Sequence, residues 1–203
     1  MKTRKACFLA WAAAIEGNLK LNWLGVIIQK YVSRNDTVLD LGCGIMQATT
    51  NIPVRISGKK SIFKNDFDRS LICKSILGCD IWDKYLDITK NFFPVIKLQM
   101  DELDKFIDNS YDIIICLDVL EHIEFDQAVK AIEHMKRIAR KKVIIYTPSK
   151  FITNEDNSKN AWGLGKNTNQ IHKCFLPPER LNEFGFSISF PKPDENTLAV
   201  YRK

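Results

Sequence analysis

Short apolar runs recur through the middle of the chain, and stretches with helical spacing separate them. Five of these runs lie at 37–41, Ser61–Asn65, Pro94–Gln99, Tyr111–Leu117 and Lys142–Tyr146. Between the last two, one face of a helix that begins near Asp126 is formed by Val129, Ile132, Met135 and Ile138. Short buried strands that alternate with helices predict βαβ units and a mostly parallel sheet.

The two ends of the chain follow other patterns. Near the start, Asn22 is a candidate helix cap, followed by one apolar helix face of Leu24, Ile27, Ile28 and Tyr31. The apolar runs Phe186–Phe190 and Thr197–Tyr201 are joined only by PKPDEN. Because that connection is too short for a parallel crossover, the last two strands must be antiparallel.

These patterns predict one domain over 1–203 with four parts. They are an N-terminal helical segment (1–36), a core (37–147), a polar, Asn-rich lid (148–174) and a C-terminal helix with a strand pair (175–203). A chain of 203 residues with 45% hydrophobic and 27% charged residues suits one globular domain. Its net charge of +6 allows an anionic partner without requiring one.

Cysteine usage bears on the compartment. The six cysteines include no C-x-x-C pair and no metal-ligand spacing, which is typical of small buried residues in a reducing compartment. The start, MKTRK followed by ACFLAWAAAI, imitates a signal peptide. We prefer an N-terminal helix that packs Phe8, Leu9 and Trp11, and the signal alternative stays open. No apolar run is long enough to cross a bilayer, and free core cysteines weigh against export, so the expected location is the cytoplasm.

A glycine-paired turn follows the first strand, in VLDLGCGIMQATTN from Val38 to Asn51. Glycines after a strand let bare backbone approach a ligand. The dinucleotide fingerprint G-x-G-x-x-G fails, because Gln47 stands where the third glycine should be, and a P-loop has no G-K-[ST] here.

Two acids follow the next two apolar runs. Asp66 ends the second predicted strand, where a carboxylate can accept ribose hydroxyls, and Asp101 follows the third, within reach of an exocyclic amine. Together with the glycine turn, they describe a nucleoside ligand without a pyrophosphate. S-Adenosylmethionine fits that description.

The chain resembles the class I S-adenosylmethionine-dependent methyltransferases. The resemblance rests on VLDLGCG (38–44), KNDFD (64–68), QMDEL (99–103) and YDIIICLDVLEHI (111–123), and residues 37–147 carry most of it. It implies an α/β, Rossmann-like, doubly wound sheet of seven strands, mostly parallel with an antiparallel last strand and helices on both faces. The cofactor would be S-adenosylmethionine.

The resemblance also implies roles for individual residues. Those of the methionine half of the cofactor are Asp40, Gly42, Cys43, Gly44 and the backbone carbonyl of Leu117. Those of the ribose and adenine are Asp66, Phe67, Asp101 and Glu102. The family often has glycine at position 46, where Met46 adds a Cβ near the cofactor.

Polar groups just past the fourth strand are the candidates for chemistry. Asp118-x-x-Glu121-His122, with His172 downstream, resembles both small-molecule O-methyltransferases of the ubiquinone type and small-RNA 3′-end 2′-O-methyltransferases. His122 and His172 are the predicted catalytic residues. All four residues could bind Mg²⁺ or Mn²⁺, or either histidine could act directly as the base. Alternatively, Glu121 and His122 only brace the site.

The acceptor class is left open between alternatives. A modest lid in which Phe151 and Trp162 could stack on a ring favours a small-molecule methyl acceptor, methylated on oxygen. RNA ends are the alternative, with a basic track of Lys150, Lys159, Lys166 and Lys173. A non-catalytic cofactor-binding role is the third hypothesis. Amino-methylating and cytosine-methylating classes are disfavoured, because their Pro-containing motifs are missing.

Overall fold

One sheet organises the part of the chain that the computed structural model describes, which comprises residues 24, 28, 30–46, 73–91, 93–154, 164–192 and 195–203. Its strands are β1 (Thr37–Leu41), β2 (Ser75–Asp80), β3 (Val95–Lys97), β4 (Tyr111–Leu117), β5 (Ala139–Pro148), β6 (Ser187–Lys192) and β7 (Asn196–Arg202). They lie in the order β3-β2-β1-β4-β5-β7-β6. The first five are parallel, and β7 is antiparallel to both β5 and β6, which confirms the predicted fold class.

Alternate residues of the central strands point to opposite faces of the sheet. On one face, Leu39, Ile114 and Val143 belong to a core with the helices α2 (Phe125–Ile138) and α3 (Pro178–Glu183). On the other face, buried residues of the same strands pack with the helical residues Leu24 and Ile28. Both faces are therefore covered, which is why the strands read as nearly continuous apolar runs.

The helix α2 begins and ends for visible reasons. Glu124 caps it through a capping box with Gln127, and Lys136 and Arg137 lie in its last turn, where the helix dipole favours cations. A shorter helix, α1 (Asp83–Thr89), follows β2. None of the helices among the described residues is both long and apolar enough to span a membrane.

The position of β2 differs from the sequence prediction. Along one edge β1 pairs with β2 (Ser75–Asp80), and along its other edge it pairs with β4. The run Ser61–Asn65, predicted as the second strand, lies outside the described residues. Gly78 lies inside this strand and is needed there, since a Cβ at Gly78 would lie 2.8 Å from Cys43 Sγ.

A polar cluster ties the amino ends of β1, β4 and β5 together. Asp112 Oδ2 accepts hydrogen bonds from the Thr37 amide over 2.9 Å and from its hydroxyl over 3.1 Å, and Oδ1 accepts from Arg140 Nε over 3.0 Å. Lys141 Nζ donates to Asp36 Oδ1 over 2.7 Å and lies 3.2 Å from Asp112 Oδ1. We call these five residues the amino-end cluster.

The cysteine prediction is confirmed where the structure describes it. Five cysteines are buried and free, namely Cys43, Cys73, Cys79, Cys116 and Cys174. Burial raises the pKa of each of these thiols, so they are held as neutral core residues. Cys7 and the predicted helix with Phe8, Leu9 and Trp11 lie outside the described residues.

Candidate active site

A cavity of about 320 Å³ lies at the carboxyl ends of the parallel strands. This is where open α/β sheets bind their ligands. The described residues that line it are 41–42, 79–81, 98–101, 118–119, 122–123 and 167–170, together with Tyr85, Gln127 and Lys173. The ends of β1, β2 and β4 thus share one cavity with the polar segment that follows β5.

The glycine turn forms the floor of the cavity at Gly42. Gly42 has a φ of +65°, and a Cβ there would lie 2.2 Å from Val119 Cγ2. Both the left-handed backbone and the lack of space therefore require glycine. The turn brings Gly42 against the segment that follows β4, so the first and fourth strand ends meet at this point.

Met46, which stands where the family often has glycine, does not line the cavity, and the nearness of its Cβ to the cofactor stays a prediction. Its side chain is 1% exposed and packs in the core with Leu24 and Ile28 on the far face of the sheet. Its φ of +57° is one that glycine adopts without strain, which accounts for the usual family residue at this place. Met46 adopts this strained backbone conformation, and its side chain fills volume in the core.

Asp80 holds the position at the end of β2. Its Oδ2 accepts a hydrogen bond from the Gly44 amide over 2.9 Å, and Oδ1 accepts from the Trp82 amide over 2.8 Å. The carboxyl is buried, and this burial raises its pKa although both amide bonds oppose the rise. Asp80 thus locks the glycine turn and presents its remaining lone pairs to the cavity.

Asp80 was missed by the sequence analysis. Asp66 and Phe67, chosen for the ribose and the adenine, lie outside the described residues, and their roles stay predictions. The place for which Asp66 was chosen, the end of the strand beside β1, belongs to Asp80. An acid directly after the run SILGC was the signal that could have found it.

The other predicted cofactor residues divide into two groups. Gly42 and Asp101 line the cavity. Asp40, Cys43, Gly44, Glu102 and Leu117 are not among its described lining residues. Of these, Glu102 is used in a capping box with Gln99 and in an ion pair with Lys105, which lower its pKa. Cys43 packs beneath the turn against Gly78.

The chain turns sharply after β4. Asp118 adopts a φ of +52°, and its amide donates to the Tyr146 carbonyl over 2.8 Å. A single 3-10 turn, Leu120–His122, follows and places His122 in the cavity wall, with Glu121 buried next to it in the chain. Backbone strain in a residue such as Asp118 is often concentrated at functional sites.

Glu121 is held by two elements that are distant in sequence. Its side chain is 3% exposed, and its Oε2 accepts a hydrogen bond from Thr147 Oγ1 over 3.2 Å. Its backbone carbonyl accepts from the amides of Lys173 over 2.7 Å and Cys174 over 3.2 Å. Thr147 therefore holds the carboxylate and Cys174 holds the backbone of Glu121, and neither residue was singled out from the sequence.

Three of the predicted chemical residues meet at this point. The ligand atoms of Glu121, His122 and His172 all lie within 4.8 Å of one another, and the two imidazole centroids are 5.0 Å apart. Asp118, the fourth predicted metal ligand, is not part of this group and lies on the cavity wall instead. We call Glu121, His122 and His172 the carboxylate–histidine group.

The donor atoms of this group suit a divalent cation. A carboxylate with two imidazoles is a ligand set for Mg²⁺, Mn²⁺ or similar metals. The Nδ1 atom of His122 is buried and has no hydrogen-bond partner among the described residues. A cation would provide that partner, since buried polar atoms are rarely left unpaired.

Electrostatics point in the same direction. Burial raises the pKa of Glu121, and the neighbouring Asp118 carboxylate raises it further. Burial and the nearby His172 ring lower the pKa of His122 to about 4, so this imidazole is neutral near pH 7. Neither Glu121 nor His122 brings a positive charge to the group.

The segment after β5 closes over the first strands. Gln170 Nε2 donates to Tyr85 Oη over 3.1 Å, and Lys84 Nζ donates to the Leu164 carbonyl over 3.1 Å. Residues 167–170 form the opposite wall of the cavity. Among the residues predicted for the acceptor, Phe151 is 54% exposed, whereas Trp162 and Lys159 lie outside the described residues.

Comparison with known proteins gives one family. The sequence matches the model of a methyltransferase domain over residues 39–147, which is more than half of its 203 residues. No curated protein matches the sequence.

Several solved structures share the fold. A SAM-dependent methyltransferase from Archaeoglobus fulgidus is similar at 13% identity, with a TM-score of 0.56 over 89% of this chain and 93% of that one. An O-methyltransferase family protein from Burkholderia thailandensis is similar at 13% identity and a TM-score of 0.56, over 89% of this chain and 55% of that one. The small RNA methyltransferase HEN1 is similar at 21% identity and a TM-score of 0.58, over 88% of this chain and 24% of HEN1.

Proposed function

The chain belongs to the methyltransferase domain family, and from this premise we propose that it transfers a methyl group to a hydroxyl oxygen of a small-molecule acceptor. The coarser function is S-adenosylmethionine-dependent methyl transfer. The finer proposal rests on one observation, the meeting of Glu121, His122 and His172 within 4.8 Å at the edge of the cavity. A cytoplasmic location stays a prediction.

A hydroxyl acceptor explains why such a group is present. Methyl transfer is an in-line displacement, for which an enzyme mainly supplies proximity and orientation. An amine acceptor is already nucleophilic when neutral, whereas a hydroxyl must lose a proton. The carboxylate–histidine group, in which Glu121 is buried and His122 lines the cavity, can assist this loss.

The parts of the site divide the work. S-Adenosylmethionine supplies a methyl group on a positively charged sulfur. Gly42 and Asp80 give the cavity its open floor and its acceptor for ribose hydroxyls. Residues 167–170 form one wall of the cavity, and Tyr85 fixes their position through Gln170.

We assign the carboxylate–histidine group to a divalent cation. Glu121, His122 and His172 would hold Mg²⁺ or Mn²⁺, which would lower the pKa of the acceptor hydroxyl. His122 is a poor general base on its own, because its pKa is lowered to about 4. Its neutral ring suits a ligand better. His172 keeps one ring nitrogen available, since Nδ1 lies 2.6 Å from the Ile152 carbonyl.

A second candidate acceptor is the terminal ribose of an RNA. Lys173 lines the cavity. Lys150 and Lys166 are exposed residues of the predicted lid, 148–174. The similarity in fold to the small RNA methyltransferase HEN1 is a reason to test RNA as an acceptor. The required chemistry, deprotonation of a hydroxyl, would be the same.

The test begins with S-adenosylhomocysteine, titrated calorimetrically alone and then with Mn²⁺. Methyl transfer is then measured from labelled S-adenosylmethionine to a set of phenols and, separately, to a short RNA with a free 3′ end. Each reaction is run with Mn²⁺ and with EDTA.

The outcomes separate the candidates. Metal-dependent methylation of a phenol supports the proposal, and methylation of the RNA end alone would replace the small molecule by RNA. Equal rates in EDTA would contradict the metal and leave a histidine as the base. Cofactor binding without any transfer would favour the non-catalytic alternative.

A further inference from the structure

His172 lies in a segment without regular secondary structure, yet its ring is held in one orientation. The segment after β5 supplies the contacts. The His172 amide donates to Asn154 Oδ1 over 2.6 Å, and His172 Nδ1 lies 2.6 Å from the Ile152 carbonyl oxygen. Asn154 Nδ2 donates in turn to the Gln170 carbonyl. Three hydrogen bonds therefore join residues 152–154 to residues 170–172.

We propose that Asn154 is a positioning residue, which fixes the ring of His172 for the carboxylate–histidine group. Its carboxamide binds on both sides of Ile171, accepting from the amide of His172 and donating to the carbonyl of Gln170. This arrangement uses both functions of one carboxamide, which no other neutral side chain of this length offers. The inference rests on the proposed role of His172.

The orientation determines which ring nitrogen is available. A carbonyl oxygen only accepts hydrogen bonds, so Nδ1 of His172 carries the proton that it donates to Ile152. The lone pair is then on Nε2. This is the arrangement in which an outer contact sets the tautomer of a histidine ligand.

The other side of His172 is anchored independently of Asn154. The amides of Lys173 and Cys174 donate to the Glu121 carbonyl, and Cys174 Sγ contacts the Leu120 carbonyl at 3.2 Å. Loss of Asn154 should therefore leave the segment docked at residue 173 and free the ring of His172. A specific loss of ring order, rather than unfolding, is expected.

The experiment compares Asn154→Ala with the wild type by nitrogen NMR of the histidine rings, with EDTA present. The chain has three histidines, so the His172 signals are assigned by their loss in His172→Gln. The wild type should show the Nδ1–H tautomer at His172. Asn154→Ala should show averaged ring nitrogens, and Asn154→Asp, which keeps the acceptor but loses the donor, should fall between them.

A second readout is the affinity for Mn²⁺ in the presence of S-adenosylhomocysteine. Outer contacts of metal ligands typically contribute 10- to 100-fold, so the Kd for Mn²⁺ should rise about 10-fold in Asn154→Ala. The Kd for S-adenosylhomocysteine should stay within about twofold, because Asn154 does not line the cavity.

The matched control is Asn182→Ala. Asn182 also donates its carboxamide to a backbone carbonyl, that of Phe186 over 3.2 Å, but lies on α3. It should change neither readout. An unaltered His172 tautomer in Asn154→Ala would overturn the inference. A wild type that binds no Mn²⁺ would instead contradict the proposed metal, while the NMR comparison would still decide the role of Asn154.

Discussion

Two buried polar groups lie at opposite ends of the same parallel sheet, and their carboxyl groups behave in opposite ways. In the amino-end cluster, the Arg140 guanidinium and the Thr37 donors hold the pKa of Asp112 far below its usual range. In the carboxylate–histidine group, burial and the neighbouring Asp118 raise the pKa of Glu121. The first group contains its cations, and the second does not.

The difference separates a structural cluster from a functional one. Asp112 lies on β4 and is satisfied by donors from β1 and β5, so it ties these three strands together. Among the described residues, Glu121 has one hydroxyl donor at its side chain, and the Nδ1 atom of His122 beside it has no hydrogen-bond partner. A buried polar group without a compensating partner destabilises the fold. Such a group is usually kept only where a ligand provides the missing partner.

Removing the charge at Glu121 should give the largest effect. Glu121→Gln should lower the rate of methyl transfer about 100-fold or more, because the deprotonation of the acceptor loses its support. Thermal unfolding in EDTA should occur at nearly the same temperature, because the raised pKa of Glu121 already favours its neutral form and Gln can still accept the hydrogen bond from Thr147. Enzyme assays and calorimetry measure both.

Glu133→Gln, an exposed position on α2, is the control and should change neither quantity. Equal activity of Glu121→Gln and the wild type would show that the carboxylate only braces the turn.

A third carboxylate, Asp80, sharpens the comparison, because backbone amides satisfy it instead of cations. Asp80→Ala should weaken binding of S-adenosylhomocysteine about 30- to 100-fold, through loss of the ribose acceptor and of the bond that locks Gly44. Calorimetric titration measures the change.

Asp83→Ala, an exposed acid paired with Lys97, should bind as the wild type does. Asp66→Ala is titrated in parallel. If Asp66→Ala loses binding and Asp80→Ala keeps it, the assignment of the ribose site to Asp80 is wrong.

The amino-end cluster should respond in stability alone. Asp112→Ala leaves the Thr37 amide without its acceptor and should lower the free energy of unfolding by about 2 kcal/mol. Methyl transfer per folded molecule should be unchanged. Urea unfolding measures the first quantity, and an assay at saturating substrate measures the second.

Asp108→Ala is the comparison variant, because Asp108 pairs with Arg137 in an exposed position. It should cost less than about 1 kcal/mol. A change in kcat for Asp112→Ala would show that the two ends of the sheet are coupled.

The smallest expected effect is in the pH dependence of stability. The pKa of Asp112 is lowered on folding, so its contribution is present above about pH 4 and is lost as the pH falls below that value. The pKa of Glu121 is raised, so its contribution is lost as the pH rises from there toward neutrality. Asp112→Asn should flatten the pH profile of stability on the acid side, and Glu121→Gln should flatten it on the neutral side.

Urea midpoints of unfolding between pH 3 and pH 8, taken in EDTA, measure this profile. Flattening of the same side by both variants would contradict the prediction.

Much of the fold follows from local patterns. The strand Tyr111–Leu117 was predicted with its true bounds, and the helix predicted from about Asp126 begins at Phe125. The final antiparallel pair followed from the length of its connection. These features depend on residues close in sequence, so the order of apolar and polar positions is sufficient to predict them.

The second strand shows where this reasoning fails. Glycine is unfavourable inside a strand. Gly78 is nevertheless required in β2, because Cys43, 35 residues earlier, leaves no room for a Cβ there. Because this strand was not predicted, Asp80 at its end was not identified either. For Met46, the sequence indicated only a Cβ near the cofactor, and the packing of its side chain in the core was visible only in the structure.

The sequence by itself determined the class of sheet, the glycine turn and the residue types capable of chemistry, because each is written in a short stretch of chain. Only the tertiary structure decided that Glu121 and His122 meet His172 and that Asp118 stands apart. It also decided that Asn154 and Thr147 hold two of them in place. These contacts join turns and loops, and no local periodicity specifies them, because the packing of β4 and β5 in one sheet brings them together.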